Sequence, residues 1–176
     1  TVTITINGST DGAPSIVIDD TDAAATAADN SVEEASGSTI NGGATVTADA
    51  GVATVTVAGQ DISNATATPV VIVGSYGTLT VTGYNAATGA MTYSYTEDGS
   101  SETHNAANDN IVDQFVVAVT DVAGESSNNT LDIQITDTAP VANASGSSIT
   151  EDTTSVSGTV SITSGEDTDS VTVQNN

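Results

Sequence analysis

Two classes of residue are missing from this sequence, and their absence sets the first limits on its function. The chain has 176 residues with Lys+Arg 0, Cys 0 and Asp+Glu 23, which gives a net charge of −23. Without ammonium or guanidinium groups, its carboxylates can be neutralised only by backbone N–H groups, by metal ions or by salt. Nucleic acids and anionic membrane surfaces would repel such a chain, because proteins bind both largely through Lys and Arg. We therefore exclude both as partners.

Other features that the sequence lacks further limit the class of protein. The absence of cysteine excludes disulfides and thiolate chemistry. No apolar run approaches the ~20 residues of a membrane-spanning helix, and no secretion-signal pattern opens the sequence. We expect a soluble chain whose export signal, if it has one, lies outside this sequence.

Catalysis has little support in the sequence. Tryptophan is absent and aromatic residues make up 3%, whereas sugar-cleaving sites usually add aromatic platforms to their paired carboxylates. His104 is the only histidine, and although Asp98 and Ser100 lie near it in sequence, no G-x-S-x-G elbow is present. We expect no enzymatic activity.

The apolar residues that are present recur with period two, which is typical of β-strands. The segments with this pattern, or with a short apolar run, are 1–6, 44–48, 52–57, 69–73, 78–82, 91–96, 114–120 and 130–136. Turn-forming sequences such as "NGG" (41–43) and "NAATG" (85–89) separate them. The pattern predicts an all-β fold, an immunoglobulin-like Greek-key β-sandwich of about seven to nine strands.

Two similar phrases, "GSTDGAP" at 8–14 and "ITDTAP" at 135–140, indicate the domain organisation. Each ends in a proline after a strand-like run, where proline stops a β-ladder and stiffens a linker. We therefore predict a complete β-sandwich repeat at 15–140. Residues 1–14 are then the last strand and linker of a preceding repeat, and 141–176 the opening strands of a following one, as in a tandem array.

The ordered motifs of the predicted repeat carry a family resemblance. "YGTLT" (76–80), "GYNAATG" (83–89), "YSY" (93–95), "FVVAVTDVAG" (115–124) and "TLDIQITDTAP" (130–140) occur in that order. The set resembles the repeat of giant type I-secreted, repeats-in-toxin bacterial adhesins, and the flanks resemble VCBS-type repeats. The resemblance implies a calcium-stiffened β-sandwich in the stalk of a biofilm or host adhesin, outside the cell at the bacterial surface.

The distribution of acidic residues also favours calcium. Calcium takes about six to eight oxygen ligands, so a site needs several acids that converge from different loops. We predict one ion at the first linker, bound by Asp11, Asp20 and Glu34, and one at the second, bound by Asp137 with Glu151 and Asp152. The complete set of predicted metal ligands is Asp11, Asp20, Asp22, Glu34, Asp121, Asp137, Glu151 and Asp152.

Three functional accounts remain open. The chain is a structural extender that contacts neighbouring repeats and projects a distal binding domain, or it is a calcium-dependent carbohydrate- or protein-binding module. Alternatively, it is a fibre subunit in which residues 1–8 of one copy add a strand to residues 141–176 of another. Halophilic adaptation would explain the acids without specific ions, but it predicts acids spread over strand faces, and segments such as "VVIV" (70–73) carry none.

Overall fold

The computed structural model describes residues 2, 12–21, 28–103, 111–138, 141–146, 150–152, 155, 157–163 and 172. These residues form twelve strands and no helix, so the predicted all-β class is confirmed. The strands are β1 (Ser15–Ile18), β2 (Asn30–Glu33), β3 (Thr39–Thr47), β4 (Val52–Val57), β5 (Gln60–Asp61), β6 (Val70–Val73), β7 (Gly77–Asn85), β8 (Ala90–Glu97), β9 (Ile111–Asp121), β10 (Ser126–Thr136), β11 (Val141–Ala144) and β12 (Val160–Thr163).

The first ten strands form two five-stranded sheets. The first sheet has the order β1-β3-β8-β7-β6 and the second the order β2-β10-β9-β4-β5. Both sheets contribute to one continuous hydrophobic core, which contains Leu79 and Tyr93 from the first sheet and Val57, Val117 and Ile133 from the second. The fold is therefore a β-sandwich.

The alternation of residue types explains which face of each strand is buried. Along β8, Met91, Tyr93 and Tyr95 point into the core, while Thr92 and Ser94 lie on the opposite face. Successive side chains of a strand point to opposite faces of the sheet, so a period-two sequence buries one face and solvates the other. The ring of Tyr95 packs edge-on against Phe115 of the facing sheet, with centroids 6.1 Å apart.

The number of strands exceeds the predicted seven to nine, because ten strands form the two sheets in the described residues. The additional strands β1, β2 and β5 are four, four and two residues long, and each lies at a sheet edge. Such short segments cannot display a clear period-two pattern. The strand predicted at 1–6 lies outside the described residues, apart from Val2.

The chain enters the sandwich at one end and leaves it at the other. Ser15, the first residue of β1, pairs with Thr47, the last residue of β3. At the entry end, defined by Pro14 and the turns 48–51 and 121–125, Val122 N–H donates to Gly51 O. At the exit end, defined by the loops 34–38, 74–77 and 98–102 and by residues 137–138, the last residue of β10 pairs with Glu33.

One strand pair differs in direction from the others. β2 pairs with β10 in parallel, with Asn30 opposite Ile133 and Glu33 opposite Thr136, whereas the remaining pairs among the described strands are antiparallel. The parallel pair arises because the chain crosses from the first sheet to the second between β1 and β2. After this crossing β2 runs toward the exit end, which is also the direction of β10.

The last two strands form a separate two-stranded sheet. β11 and β12 pair antiparallel, with Val141 opposite Thr163. The side chains of Val141, Val160 and Ile162 are exposed. A two-stranded sheet by itself has marginal stability in water, because it buries little apolar surface.

Candidate functional site

The chemically distinctive groups of this protein are buried carboxylates at the two ends of the sandwich. Glu34, Glu97, Asp113 and Asp121 are each at most 4% exposed. Burying a carboxylate is costly unless hydrogen bonds or a cation compensate for its lost hydration. Because the sequence has no lysine or arginine, the compensation must come from other groups.

Asp113 at the exit end receives three hydrogen bonds from the facing sheet. Its Oδ1 accepts the N–H of Ser75 at 2.8 Å, and its Oδ2 accepts the N–H of Tyr76 at 3.1 Å and the hydroxyl of Tyr95 at 2.9 Å. A Cβ at Gly74 would overlap the carboxylate, so a glycine is needed there. Asp113 therefore joins β9 to the β6–β7 turn and to β8 of the facing sheet.

The environment of Asp113 also changes the acidity of its phenol partner. Burial raises the pKa of Tyr95, and the hydrogen bond to Asp113 raises it further, since both favour the neutral hydroxyl. The neutral phenol keeps its proton and donates a hydrogen bond to the carboxylate. The Tyr95–Asp113 hydrogen bond thus connects the two sheets of the sandwich.

Glu97 and Glu34 hold the loops of the same end. Glu97 accepts the N–H groups of Gly37 at 2.7 Å and Gly99 at 3.0 Å. Glu34 accepts the N–H of Glu102 at 2.7 Å and that of Thr138 at 3.4 Å. These contacts connect the chain segment that leaves β10 to the loops at the exit end. The chemistry here is backbone-amide recognition by carboxylates, which organises loops.

Asp121 at the entry end is satisfied on one oxygen only. Its Oδ1 accepts the N–H of Glu125 at 2.8 Å, while Oδ2 is buried with no hydrogen-bond partner among the residues that the structure describes. The turn is fixed by further backbone bonds, from Asp121 N–H to Glu125 O and from Gly124 N–H to Asp121 O. The described residues therefore compensate only one of the two oxygens of this buried carboxylate.

A cation is one kind of group that would compensate the Oδ2 of Asp121. A hard cation such as calcium prefers carboxylate and carbonyl oxygens and would supply the missing counter-charge. Within the described ranges, however, no three Asp, Glu or His side chains converge as a metal-binding group. An ion at Asp121 would take its remaining ligands from backbone carbonyls and water.

The other predicted ligands occupy varied positions. Asp20, Glu151 and Asp152 are exposed, and Asp137 is half-buried. Asp11 and Asp22 lie outside the described residues, as does His104. The structure brings Glu34 to Thr138, which follows Asp137, and so places it at the exit end. The predicted ion shared by Asp11, Asp20 and Glu34 and the one shared by Asp137, Glu151 and Asp152 stay predictions.

Sequence analysis missed Asp113 and Glu97 as important residues, although a signal for both was present. Asp113 and Asp121 fall in the same alternation as Phe115, Val117 and Val119, which places them on the inward face of β9. Glu97 likewise continues the inward alternation of Tyr93 and Tyr95 along β8. An acid in the apolar register of a strand indicates a buried carboxylate.

A small cavity lies between the sheets beside Tyr84. It has a volume of about 110 Å³, and its lining includes Thr54, Asp61 and Ser63. The Tyr84 hydroxyl is buried and has no hydrogen-bond partner in the described part of the chain, and burial raises the pKa of Tyr84. The volume is below the ~300–1,000 Å³ of typical ligand pockets. A cavity of this size can hold water molecules.

Comparisons with known proteins do not identify a family for this chain. No protein-family model, no curated protein and no solved structure matches this chain. Among the described residues there is also no helix with the length and apolar character needed to cross a membrane. The functional argument therefore depends on the chain's own geometry and chemistry.

Proposed function

We propose that this protein is an extender segment of a large secreted adhesin at the bacterial cell surface. In this account the sandwich is one of a series of tandem repeats that project a distal binding domain for attachment and biofilm formation. The observation that carries the proposal is the placement of the chain's entry and exit at opposite ends of the sandwich. Modules joined in this way add their lengths.

The dimensions favour such a role. β9 and β10 are each 11 residues long and run between the two ends. At ~3.3 Å per residue, an 11-residue strand spans ~36 Å. A series of such modules would gain several nanometres for each repeat. The work of an extender is this gain in length, and it requires no catalytic group.

The strand order supports a more specific class, an immunoglobulin-like sandwich. In that class the first, second, fifth and fourth strands form one sheet, and the third, sixth and seventh form the other. If the short edge strands β2, β5 and β6 are set aside, the remaining seven strands divide into β1-β3-β8-β7 and β10-β9-β4. This is the same division, with the same neighbours.

Calcium is part of the proposed function, as an ion that neutralises carboxylates and stiffens the module. The bare carboxylate oxygen of Asp121 supports a site at the entry end. At the linkers, the predicted acids would limit bending between repeats, because flexible linkers are stiffened when an ion joins the segments on both sides. The absence of lysine and arginine leaves metal ions as the available strong counter-charge.

Small-angle X-ray scattering tests the extender function. The 176-residue chain would be compared with a longer version in which residues 15–140 occur twice, each in calcium and in chelator. We expect the added module to increase the maximum dimension by at least ~36 Å in calcium, since the modules align end to end. A longer chain whose maximum dimension hardly increases would contradict the proposal. A smaller increase in chelator would show that calcium stiffens the linker.

A further inference from the structure

We infer that β2 and β10 form a mechanical clamp, which is the element that resists unfolding when the chain is stretched. This inference rests on the proposed extender function, because a stalk that anchors a cell carries tension along its length. The clamp follows from the directions of the two strands and from the hydrogen bonds between them.

The direction of loading is set by the topology. Tension draws the chain before β1 away at the entry end and the chain after β10 away at the exit end. β1 is held to β3 by four residue pairs, from Ser15–Thr47 to Ile18–Ala44. Once β1 separates, the same tension acts on the beginning of β2 and on the end of β10.

The parallel pairing turns this tension into shear. β2 and β10 run in the same direction, so β2 is pulled backward along its axis while β10 is pulled forward along its own. The interstrand hydrogen bonds lie across the direction of sliding and must therefore break together. In a hairpin opened from one end they would break one after another, at a lower force.

Additional hydrogen bonds strengthen this pair at the end nearer the entry. Asp29 N–H donates to Asp132 O at 3.1 Å. In return, Asp132 N–H donates to the Asp29 carboxylate at 2.8 Å. Since Asp29 precedes the first residue of β2, the connection extends beyond the four ladder pairs.

The exit end of the pair is strengthened in the same way. Glu34 N–H donates to Thr136 O at 3.0 Å, and the Thr136 hydroxyl donates to Val32 O at 3.2 Å. The Glu34 carboxylate accepts the N–H of Thr138 at 3.4 Å. These bonds are positioned where tension on β10 is applied first.

Non-covalent bonds have to carry the load in this protein. The sequence has no cysteine for a disulfide and no lysine for an amide cross-link between side chains. The other strand that borders β10 is β9, to which it is held by ten residue pairs. Separation of β2 from β10 is therefore the less costly route by which tension can detach β10.

Single-molecule stretching tests the clamp. Because cysteine is absent, two introduced thiols give unique attachment points. Gly12→Cys with Val141→Cys would apply tension across the two ends, and Gly12→Cys with Ala123→Cys would apply it at the entry end alone; all three native residues are exposed. We expect a clearly higher unfolding force in the first geometry. Equal forces in the two geometries would overturn the inference.

A pair of threonine variants provides the matched control. Thr136→Val removes the hydroxyl that bonds Val32 O, and Thr96→Val removes one that bonds the Thr39 hydroxyl outside the clamp. Under tension across the ends, we expect Thr136→Val to unfold about fivefold faster, the factor for loss of one hydrogen bond, and Thr96→Val to match the parent. Equal acceleration by both would contradict the clamp. The scattering experiment does not depend on either result, so failure of the clamp and failure of the extender function can be distinguished.

Discussion

Asp113 and Asp121 occupy the same inward face of β9, yet their carboxylates accept different numbers of hydrogen bonds. Asp113 accepts three hydrogen bonds, from two backbone N–H groups and the Tyr95 hydroxyl. Asp121 accepts one on Oδ1 and leaves Oδ2 bare. The Asp113 carboxylate has donors on both oxygens, whereas the Asp121 carboxylate keeps one oxygen without a donor among the described residues.

Substitution of Asp121 by Asn tests whether a cation compensates this carboxylate. In chelator we expect Asp121→Asn to raise the free energy of unfolding by about 1–3 kcal/mol, because it removes an uncompensated buried charge. In calcium the same variant should lose most of the stabilisation that the ion gives the parent. Urea unfolding with and without calcium measures both effects.

Asp49→Asn is the control for this experiment, since Asp49 is an exposed acid in the neighbouring turn. It should change stability little in either condition. If Asp121→Asn is less stable than the parent in chelator and keeps the full response to calcium, the ion does not bind at this carboxylate.

The tyrosines make stability fall at alkaline pH. With no Lys, Arg or Cys, tyrosine hydroxyls are the side chains of this sequence that ionise well above neutral pH. The pKa values of Tyr84 and Tyr95 are raised in the folded state, mainly by burial. The unfolded chain therefore releases these protons at lower pH than the folded protein does.

The stability contributed by this difference is complete below the unfolded tyrosine pKa of about 10 and is lost as pH rises above it. We expect the free energy of unfolding to decline from about pH 10 upward, and to decline less steeply in Tyr95→Phe. Urea unfolding over this pH range, with near-ultraviolet absorbance to follow tyrosinate, is the measurement. Ionisation of all tyrosines in a protein of unchanged stability would contradict it.

At the scale of strands, the sequence predicts those with a long alternating pattern and misses the short edges. The segments predicted around β3, β4 and β6 to β10 all correspond to strands. β1, β2 and β5 were not predicted, because a segment of two to four residues becomes a strand only through the partner that it finds in the fold. The parallel pairing of β2 with β10 likewise depends on the crossing between sheets and has no local signal.

The same limit applies to the candidate site. The composition shows that the acids lack cationic partners, and alternation along β9 places Asp113 and Asp121 inward. Whether either carboxylate receives donors from the facing sheet depends on the turn that lies opposite it. Ser75 and Tyr76 are far from Asp113 in sequence, so their hydrogen bonds could not be predicted.

The turn between β7 and β8 shows how an element constrains its neighbour. Gly89 has φ 72° and its carbonyl accepts the N–H of Val46 at 2.9 Å, so the turn packs directly on β3. A Cβ at Gly89 would clash with the Val46 carbonyl, whereas one at Gly99, with φ 82°, would meet no atom within 4 Å. The two glycines share a backbone conformation but differ in their surroundings.

We therefore expect Gly99→Ala to lower the free energy of unfolding by about 1–2 kcal/mol, the cost of a left-handed alanine. Gly89→Ala should lower it by at least about 2 kcal/mol more, since the β3 backbone must move. Thermal or urea unfolding of the two variants measures the difference. Equal losses would show that the turn can move away from β3 at little cost.

For the whole molecule, the net charge of −23 makes ions part of its stability. Both sodium and calcium screen repulsion among carboxylates, but only a specifically bound ion adds stabilisation by mass action. At matched ionic strength we expect calcium to raise the melting temperature above the value in sodium chloride. A hundredfold excess over Kd corresponds to about 2.7 kcal/mol.

Calorimetry in calcium chloride, in sodium chloride and in chelator makes this comparison. Magnesium at the same concentration is a useful second control, because it prefers a smaller octahedral site and keeps several of its waters. If sodium chloride stabilises the protein as much as calcium does, the acids serve general hydration and screening, as in halophilic proteins, and the specific calcium sites are wrong.

The opposite placement of the chain's entry and exit also determines how a stalk built from such modules would respond to excessive tension. From β1 to β10 the fold contains about 120 residues, which can span ~400 Å when fully extended, against ~36 Å along a folded strand. One module that unfolds would therefore increase its own length roughly tenfold. The added length lowers the tension on the remaining modules and on the distal attachment. A single unfolding event would therefore protect the rest of the stalk, and refolding would restore its original length.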